Sequence, residues 1–186
     1  KARRNLGAHY TTEENILKLI GPLFLDELRA EFDKIRHTVK SRTQNLQAFH
    51  AKLAGLKFLD PACGCGNFLV IAYRELRRLE LEVLRALHHS GQQALDIATI
   101  IQVDVDQFHG IEIEEFPVQI AQVALWLTDH QMNALVSEEF GQYFIRLPLK
   151  KAAHIVHGNA LRLDWNSVIA AEECDIVMGN PPFIGK

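Results

Sequence analysis

Two short clusters in the sequence carry residue types suited to binding and catalysis. In the first, Asp60 and Pro61 follow an apolar run and lead into a loop that contains Gly64 and Gly66. Glycine lets the backbone turn sharply and lets a ligand lie close against it, and the helix that follows presents free N–H groups to an anion. The pattern predicts either a cofactor-binding loop or a plain turn between a strand and a helix.

The second cluster is Asn180-Pro181-Pro182-Phe183. Two prolines remove two backbone donors and stiffen the chain, so that a free carbonyl oxygen and the Asn180 amide offer fixed acceptors. The ring of Phe183 adds an aromatic face on which a planar group can stack. The cluster suits a planar group that bears an NH2, and a proline-rich exit from a strand is the alternative interpretation.

Two further polar residues follow predicted strands. Glu112 ends the second strand, where its carboxylate accepts hydrogen bonds from ribose hydroxyls or simply lies at the surface. Asn159 follows the third strand, where its amide bonds an adenine edge or closes an ordinary turn. Neither residue alone decides between these pairs of interpretations.

The segments between these residues predict an α/β fold. Strands are predicted at 56–60, 108–113, 154–157 and 174–178, with helical spacing of apolar residues between them. This alternation predicts a partial doubly wound, Rossmann-like parallel sheet, whose ligands bind beyond the carboxyl ends of the strands. Residues 1–55 are predicted as an N-terminal helical segment and residues 56–186 as the first half of the sheet domain.

Several local expectations concern the helices. Thr11 and Glu14 match a capping box that begins a helix, and Gly21-Pro22 is expected to break that helix. The helix that Pro117 opens is apolar on nearly all sides and is therefore expected to be well buried. Four charged residues of the helix after the glycine loop are placed on its outer face: Arg74, Arg77, Arg78 and Glu82.

Composition narrows the class of protein. Of the 186 residues 48% are hydrophobic, and the net charge of −3 gives no general attraction to nucleic acid. No apolar run approaches the roughly 18 residues that a membrane helix needs, so no membrane contact is expected. The three cysteines form neither a disulfide framework nor a metal site, which favours free thiols in the cytoplasm and no bound metal. Because the chain lacks an initial methionine, we expect it to be a piece of a longer polypeptide.

Taken in order, these residues resemble class I, S-adenosylmethionine-dependent DNA methyltransferases of the adenine-N6 type. The matching stretches are Gly7-Ala8-His9-Tyr10-Thr11, Asp60-Pro61-Ala62-Cys63-Gly64-Cys65-Gly66, Gly110-Ile111-Glu112-Ile113, Gly158-Asn159-Ala160-Leu161 and Asn180-Pro181-Pro182-Phe183. Within that family the chain is most similar to large single-chain, type IIG-like restriction–modification enzymes. The resemblance implies the first strands of a seven-stranded sheet, with the base-recognition domain and any nuclease elsewhere in the polypeptide.

The resemblance also implies a role for each matching residue. The methionine end of the cofactor would lie against the segment Gly7–Thr12 and the glycine loop, the ribose against Glu112, and the adenine against Asn159. The implied cofactor-binding residues are Tyr10, Thr11, Asp60, Ala62, Gly64, Gly66, Glu112, Asn159 and Ala160. The implied catalytic residues are Asn180, Pro181, Pro182 and Phe183. Asn180 and the Pro181 carbonyl would accept hydrogen bonds from an adenine flipped out of double-stranded DNA, and Phe183 would stack on it.

Two positions depart from the family pattern, and alternatives stay open. Cys65 stands where serine is frequent, and Asn159 stands where aspartate is common. The Asn-Pro-Pro ending also occurs in methylases of protein glutamine and of cytosine N4, although Phe183 and the Asp-Pro-Ala-Cys-Gly loop favour adenine. A catalytically inert cofactor-binding or interaction domain is the hypothesis from another class. The isolated chain is expected to transfer little or no methyl and to expose apolar surface beside the fourth strand.

Overall fold

Helices and strands alternate along the chain in the computed structural model, which describes residues 11–88, 100–141 and 152–181. Four helical elements precede the first strand, one long helix follows each of the first two strands, and a 3-10 turn lies between the last two. The elements are α1 Glu13–Ile20, a π-helical turn Gly21–Leu25, α2 Asp26–Arg36, α3 Arg42–Gly55, β1 Phe58–Asp60, α4 Asn67–Leu87, a 3-10 turn Val105–Gln107, β2 Phe108–Glu112, α5 Glu115–Phe140, β3 His154–His157, a 3-10 turn Trp165–Ser167 and β4 Ile176–Val177.

The four strands form one sheet in the order β3-β2-β1-β4, and every neighbouring pair is parallel. In the β1–β2 pair, Asp60 lies opposite Gly110, and in the β2–β3 pair, Glu112 lies opposite His157. Parallel pairing brings the carboxyl ends of all four strands to one edge. The predicted α/β fold with a doubly wound parallel sheet is therefore confirmed. β3 has the predicted bounds, and the other three strands are shorter than predicted.

Aromatic side chains hold the centre of the sheet to its helices. Phe58 of β1 stacks on Phe108 of β2, with ring centroids 4.6 Å apart and planes 1° from parallel. Phe24, from the π-helical turn, packs edge-on against Phe58, and Tyr73 of α4 packs edge-on against Phe108. The helices before β1 thus share a core with the sheet, and this packing fixes where Thr11 and the glycine loop lie.

The start of the first helix differs from the prediction. Thr12 occupies the N-cap position with an extended backbone, and no side chain forms a capping hydrogen bond, so the capping box of Thr11 and Glu14 is wrong. Gly21-Pro22 does not break the helix either. A π-helical turn carries the chain on into α2, with Pro22 in its first turn, where a missing N–H is tolerated.

The long helix α5 is buried on only one side. Val118, Ala121 and Leu125 are buried, whereas Phe116 is 72% exposed and Trp126 is 41% exposed. The expectation of a well-buried helix is therefore wrong for its outer face, because apolar character on all sides does not say which sides have a neighbour. No helix among the described residues is both long and apolar enough to cross a membrane.

A network of charged and polar side chains lies buried between α4 and α5. Arg77 is fully buried and donates from Nη1 to Asp129 Oδ1 at 2.8 Å and to Tyr73 Oη at 2.7 Å. Its Nη2 donates to Asn133 Oδ1 at 2.8 Å. Its Nε lies 3.0 Å from Glu80 Oε2, in an ion pair whose angle is too poor for a hydrogen bond. Placing Arg77 on an outer face is therefore wrong, since α4 is covered by α5 as well as by the sheet.

Candidate functional site

Backbone hydrogen bonds draw the predicted site residues to one edge of the sheet. Cys63 N in the glycine loop donates to Ile111 O at 3.0 Å, and Gly158 N donates to Glu112 O at 2.8 Å. On the other side of β1, Met178 N donates to Leu59 O at 2.9 Å. The loop after β1 and the chain segments after β2, β3 and β4 therefore meet, as the parallel sheet predicts.

Asp60 ends β1 as a buried carboxylate. Its side chain accepts a hydrogen bond from Ala62 N at 3.0 Å on Oδ1, and the residue is only 1% exposed. Burial raises its pKa from 3.8 to about 7, with the charge of Glu112 adding to the rise and the Ala62 N–H opposing it. Among the described residues, no lysine or arginine neutralises Asp60. A cationic ligand would therefore favour its ionised form.

The two glycines of the loop serve different purposes. Both have left-handed backbones, with φ of 55° at Gly64 and 83° at Gly66. A Cβ at Gly66 would lie 3.0 Å from the Cβ of Ala121, so close packing of the loop on α5 requires glycine there. A Cβ at Gly64 would meet nothing within 4 Å, so that face of the loop is open for a ligand.

Glu112 clips the glycine loop to the end of β2. Its Oε2 accepts a hydrogen bond from Gly64 N at 2.8 Å, and its Oε1 accepts one from Glu114 N at 3.0 Å. Each carboxylate oxygen has a second lone pair, so both can still accept from a hydroxyl group. The carboxylate is thus held at the loop in a fixed orientation with capacity for a diol.

Asn159 and Ala160 form the turn after β3. Asn159 Oδ1 accepts from Leu161 N at 2.9 Å, which closes an Asx turn, and Ala160 O accepts from Trp165 Nε1 at 2.8 Å. The turn does not use the Nδ2 group of Asn159. The turn interpretation and a ligand contact are therefore compatible, because they involve different atoms of one amide.

Asn180 and Pro181 follow β4 and are exposed. Gly179 directly before them packs on Asp60, where a Cβ would lie 2.5 Å from Oδ1. Asn180 Nδ2 donates to Thr11 Oγ1 at 3.0 Å, which brings the start of the described chain to the same place. Tyr10, Pro182 and Phe183 lie outside the described residues.

An apolar cavity of about 380 Å³ lies between α1 and the end of β4. It is lined by Leu19, Ile20, Leu23, Pro61, Phe68, Val177, Met178, Gly179 and Pro181. Val177 is 51% exposed, which confirms the expected apolar surface beside the fourth strand. The cavity reaches both Pro61 of the glycine loop and Pro181 of the Asn-Pro-Pro cluster, so the two clusters of interest share one wall.

Sequence reasoning missed two features of this site. The close approach of Gly179 to Asp60 had one signal, a glycine directly before Asn180. The contact of Thr11 with Asn180 had none, because it depends on how α1 packs against the sheet. In the part of the chain that the structure describes, no group of histidine, cysteine or carboxylate side chains is arranged to hold a metal ion.

The sequence is similar to those of known DNA methyltransferases. The family model described as "MmeI, DNA-methyltransferase domain" matches residues 36–186. DNA methyltransferase A of Bacillus subtilis (strain 168) is 40% identical over the whole chain, which covers 21% of that protein. The adenine-specific methyltransferase PglX of Streptomyces coelicolor is 31% identical over 49% of the chain, corresponding to 7% of that protein.

One solved structure is also similar. It contains the type IIL restriction–modification enzyme MmeI in complex with DNA, is 67% identical in sequence and superimposes with a TM-score of 0.92. The match covers 98% of this chain and 24% of the MmeI chain, so the described fold corresponds to about a quarter of that enzyme. The chain belongs to the MmeI DNA-methyltransferase domain family.

Proposed function

We propose that this chain is the cofactor-binding half of a DNA methyltransferase that moves a methyl group from S-adenosylmethionine to the N6 amino group of adenine. Residues 56–186 would form the first half of the methyltransferase domain, and residues 1–55 would be its N-terminal helical segment. The chain would act within a longer cytoplasmic restriction–modification polypeptide, whose other parts bind and recognise double-stranded DNA.

The residues at the sheet edge suit this cofactor. S-adenosylmethionine supplies a methyl group on a positively charged sulfur, which an amino nitrogen attacks directly. Asp60 is a buried carboxylate that a cation would favour, and the open face at Gly64 leaves room beside it. Glu112 would bind the ribose hydroxyls, and the Nδ2 group of Asn159 suits an acceptor nitrogen of adenine.

Asn180 and Pro181 would act on the base that receives the methyl group. Their side-chain and main-chain oxygens are acceptors, so they would hold the hydrogens of an exocyclic amino group and orient its nitrogen. Holding the amino group in line with the methyl carbon supplies rate through positioning, with no covalent bond to the enzyme. Tyr10, Pro182 and Phe183 keep the cofactor-contacting, stiffening and base-stacking roles that the resemblance implies.

One observation carries the proposal: Gly179 packs directly on Asp60. This contact supports the proposal because Asn180 and Pro181, which would accept from the amino group, follow Gly179 directly in the chain. An inert cofactor-binding or interaction domain has no need for acceptors at that place. The adenine-specific name of the PglX relative supports adenine over cytosine N4 or protein glutamine.

The test is methyl transfer by the full-length protein with labelled cofactor. Three substrates are compared: duplex DNA with adenine, duplex DNA that contains cytosine and lacks adenine, and a glutamine-bearing protein. We expect label on adenine N6 alone, and the 186-residue chain by itself should transfer little or none. Label confined to cytosine or to protein would refute the assignment, as would full turnover by the 186 residues.

A further inference from the structure

One side-chain hydrogen bond ties the residue after β4 to the segment before α1. Asn180 Nδ2 donates to Thr11 Oγ1 at 3.0 Å, across 169 positions of sequence. Asn180 is exposed, and the terminal torsion of an amide side chain is broad and roughly two-fold. Without this bond, the two ends of the amide would exchange places readily.

Thr11 and Asn180 both lie within a few residues of side chains that are buried in the core. Ile16 of α1 is fully buried and donates its N–H to Thr12 O at 3.0 Å, next to Thr11. Met178 is buried, and its N–H bond to Leu59 O anchors the chain two residues before Asn180. Forming the side-chain bond therefore orders little beyond the amide itself, so its entropic cost is small.

Helix capping leaves the hydroxyl of Thr11 available. Thr12 is the N-cap residue of α1, and the helix has no side-chain capping bond. A threonine hydroxyl can donate one hydrogen bond and accept two. Acceptance from Asn180 is therefore the use that the structure gives this oxygen.

The direction of the bond decides which end of the amide a substrate would meet. An asparagine amide has a donor end, Nδ2, and an acceptor end, Oδ1. A target amino group brings hydrogens, so it needs Oδ1, and the reversed amide would set two donors against each other. With Nδ2 bound to Thr11, Oδ1 is the end left for the target.

We propose that Thr11 is a positioning residue, which binds Nδ2 of Asn180 so that Oδ1 faces the target amino group. This inference rests on the proposed function of Asn180. It gives Thr11 a different task from the cofactor contact that the family resemblance implies. Loss of a positioning contact should lower kcat and leave the Kd for the cofactor unchanged, whereas loss of a cofactor contact should raise that Kd. The two tasks can therefore be separated.

The test compares Thr11→Val, which keeps the shape and removes the hydroxyl, with Thr11→Ser, which keeps the hydroxyl. The full-length protein is assayed for kcat on adenine-containing DNA and, by titration, for its Kd for S-adenosylmethionine. One neutral hydrogen bond contributes about 1 kcal/mol, so Thr11→Val should lower kcat roughly five- to tenfold. Thr11→Ser should keep the wild-type kcat, and neither variant should change the Kd.

A double variant separates positioning from a general loss of structure. In the Asn180→Ala background there is no amide to hold, so adding Thr11→Val should lower kcat no further. A wild-type kcat in Thr11→Val would overturn the inference, as would an undiminished further loss in the Asn180→Ala background. A raised Kd with an unchanged kcat would show that Thr11 contacts the cofactor, as the family resemblance implies, and does not position Asn180. Failure of the wild-type protein to methylate adenine would instead overturn the proposed function.

Discussion

Buried carboxylates in two regions of this protein have opposite electrostatic environments. Between α4 and α5, Glu80 and Asp129 both meet the buried guanidinium of Arg77. At the edge of the sheet Asp60 is as deeply buried, yet the described residues offer it one backbone N–H and the like charge of Glu112. The interior carboxylates have Arg77 as a partner within the fold, and Glu80 Oε1 also lies 2.8 Å from His50 Nε2. Asp60 has no such partner among the described residues, so its charge is left to be compensated by a ligand.

This difference separates stability from function. Removing one partner of a buried ion pair destabilises a fold strongly, because the remaining charge stays buried with less compensation. A carboxylate that is buried without a cation lowers the stability of the fold. Such a carboxylate is typical of a functional site, where a bound ligand can supply the missing positive charge. Charge removal should therefore have opposite effects on stability in the two regions.

The largest effect should come from removing Arg77 from the interior group. Arg77→Met removes the guanidinium shared by two buried carboxylates, Glu80 and Asp129, and should lower the free energy of unfolding by about 3–5 kcal/mol. Urea unfolding of the 186-residue protein measures it. The neighbouring Arg78→Met is the matched control, because Arg78 is 50% exposed and should lose less than about 1 kcal/mol. Equal losses at both positions would show that the buried network does not stabilise the fold as described.

The edge group should respond in the other direction. Asp60→Asn keeps an acceptor for Ala62 N and removes an unpaired charge, so stability at pH 8 should be unchanged or higher. Affinity for S-adenosylmethionine in the full-length protein should fall at least about tenfold, since a charge-assisted contact contributes about 1.5–3 kcal/mol. Asp129→Asn is the control and should show the reverse, with lower stability and unchanged affinity. A clear loss of stability in Asp60→Asn would contradict the comparison.

The pH dependence sharpens the same point. The pKa of Asp60 is about 7 in the fold against 3.8 ordinarily, so the folded protein binds more protons between those values. Its contribution to stability is therefore present below pH 4 and is lost as the pH rises through about 7. Subtracting the unfolding free energies of Asp60→Asn from those of wild type should reveal this fall. The affinity for S-adenosylmethionine should rise over the same pH range. If the unfolding free energies of wild type and Asp60→Asn changed in parallel with pH, the raised pKa of Asp60 would be contradicted.

The smallest effect should separate the glycine loop from an ordinary turn. Gly64 and Gly141 both have left-handed backbones, with φ of 55° and 63°, and both face open space. Alanine should cost each about 1 kcal/mol of stability through backbone strain alone. Gly64→Ala should also weaken cofactor binding, whereas Gly141→Ala should not. Similar affinities in the two variants would indicate that the loop does not touch the cofactor.

The sequence was sufficient for the fold and for the edge at which the polar residues gather. Parallel strands that alternate with helices leave few topologies, and in each the residues after the strands meet at one edge. Asp60, Gly64 and Glu112 could be placed there because each lies at the end of a predicted strand or in the loop that follows one. These placements could be predicted because they depend only on residues that are close together in the sequence.

Contacts between distant segments could not be predicted in the same way. Arg77 has the spacing of an exposed residue on α4, and its burial depends on α5 packing over it. Thr11 matches a capping box, and its actual partner depends on where α1 lies relative to β4. The outer face of α5 shows the opposite case. Phe116 is apolar, which predicts burial, yet it is exposed because no described element covers that face.

A titration of the full-length protein with S-adenosylmethionine, followed by calorimetry, tests the central claim most directly. The claim is that the carboxylates at the sheet edge bind the cofactor. Glu112→Ala removes the carboxylate that accepts a hydrogen bond from the glycine loop. Glu139→Ala is the control, because it removes an exposed carboxylate at the far end of α5, where it pairs with Arg85 of α4. The account predicts one-to-one binding that is retained in Glu139→Ala and lost in Glu112→Ala. Binding that survives Glu112→Ala unchanged would contradict it.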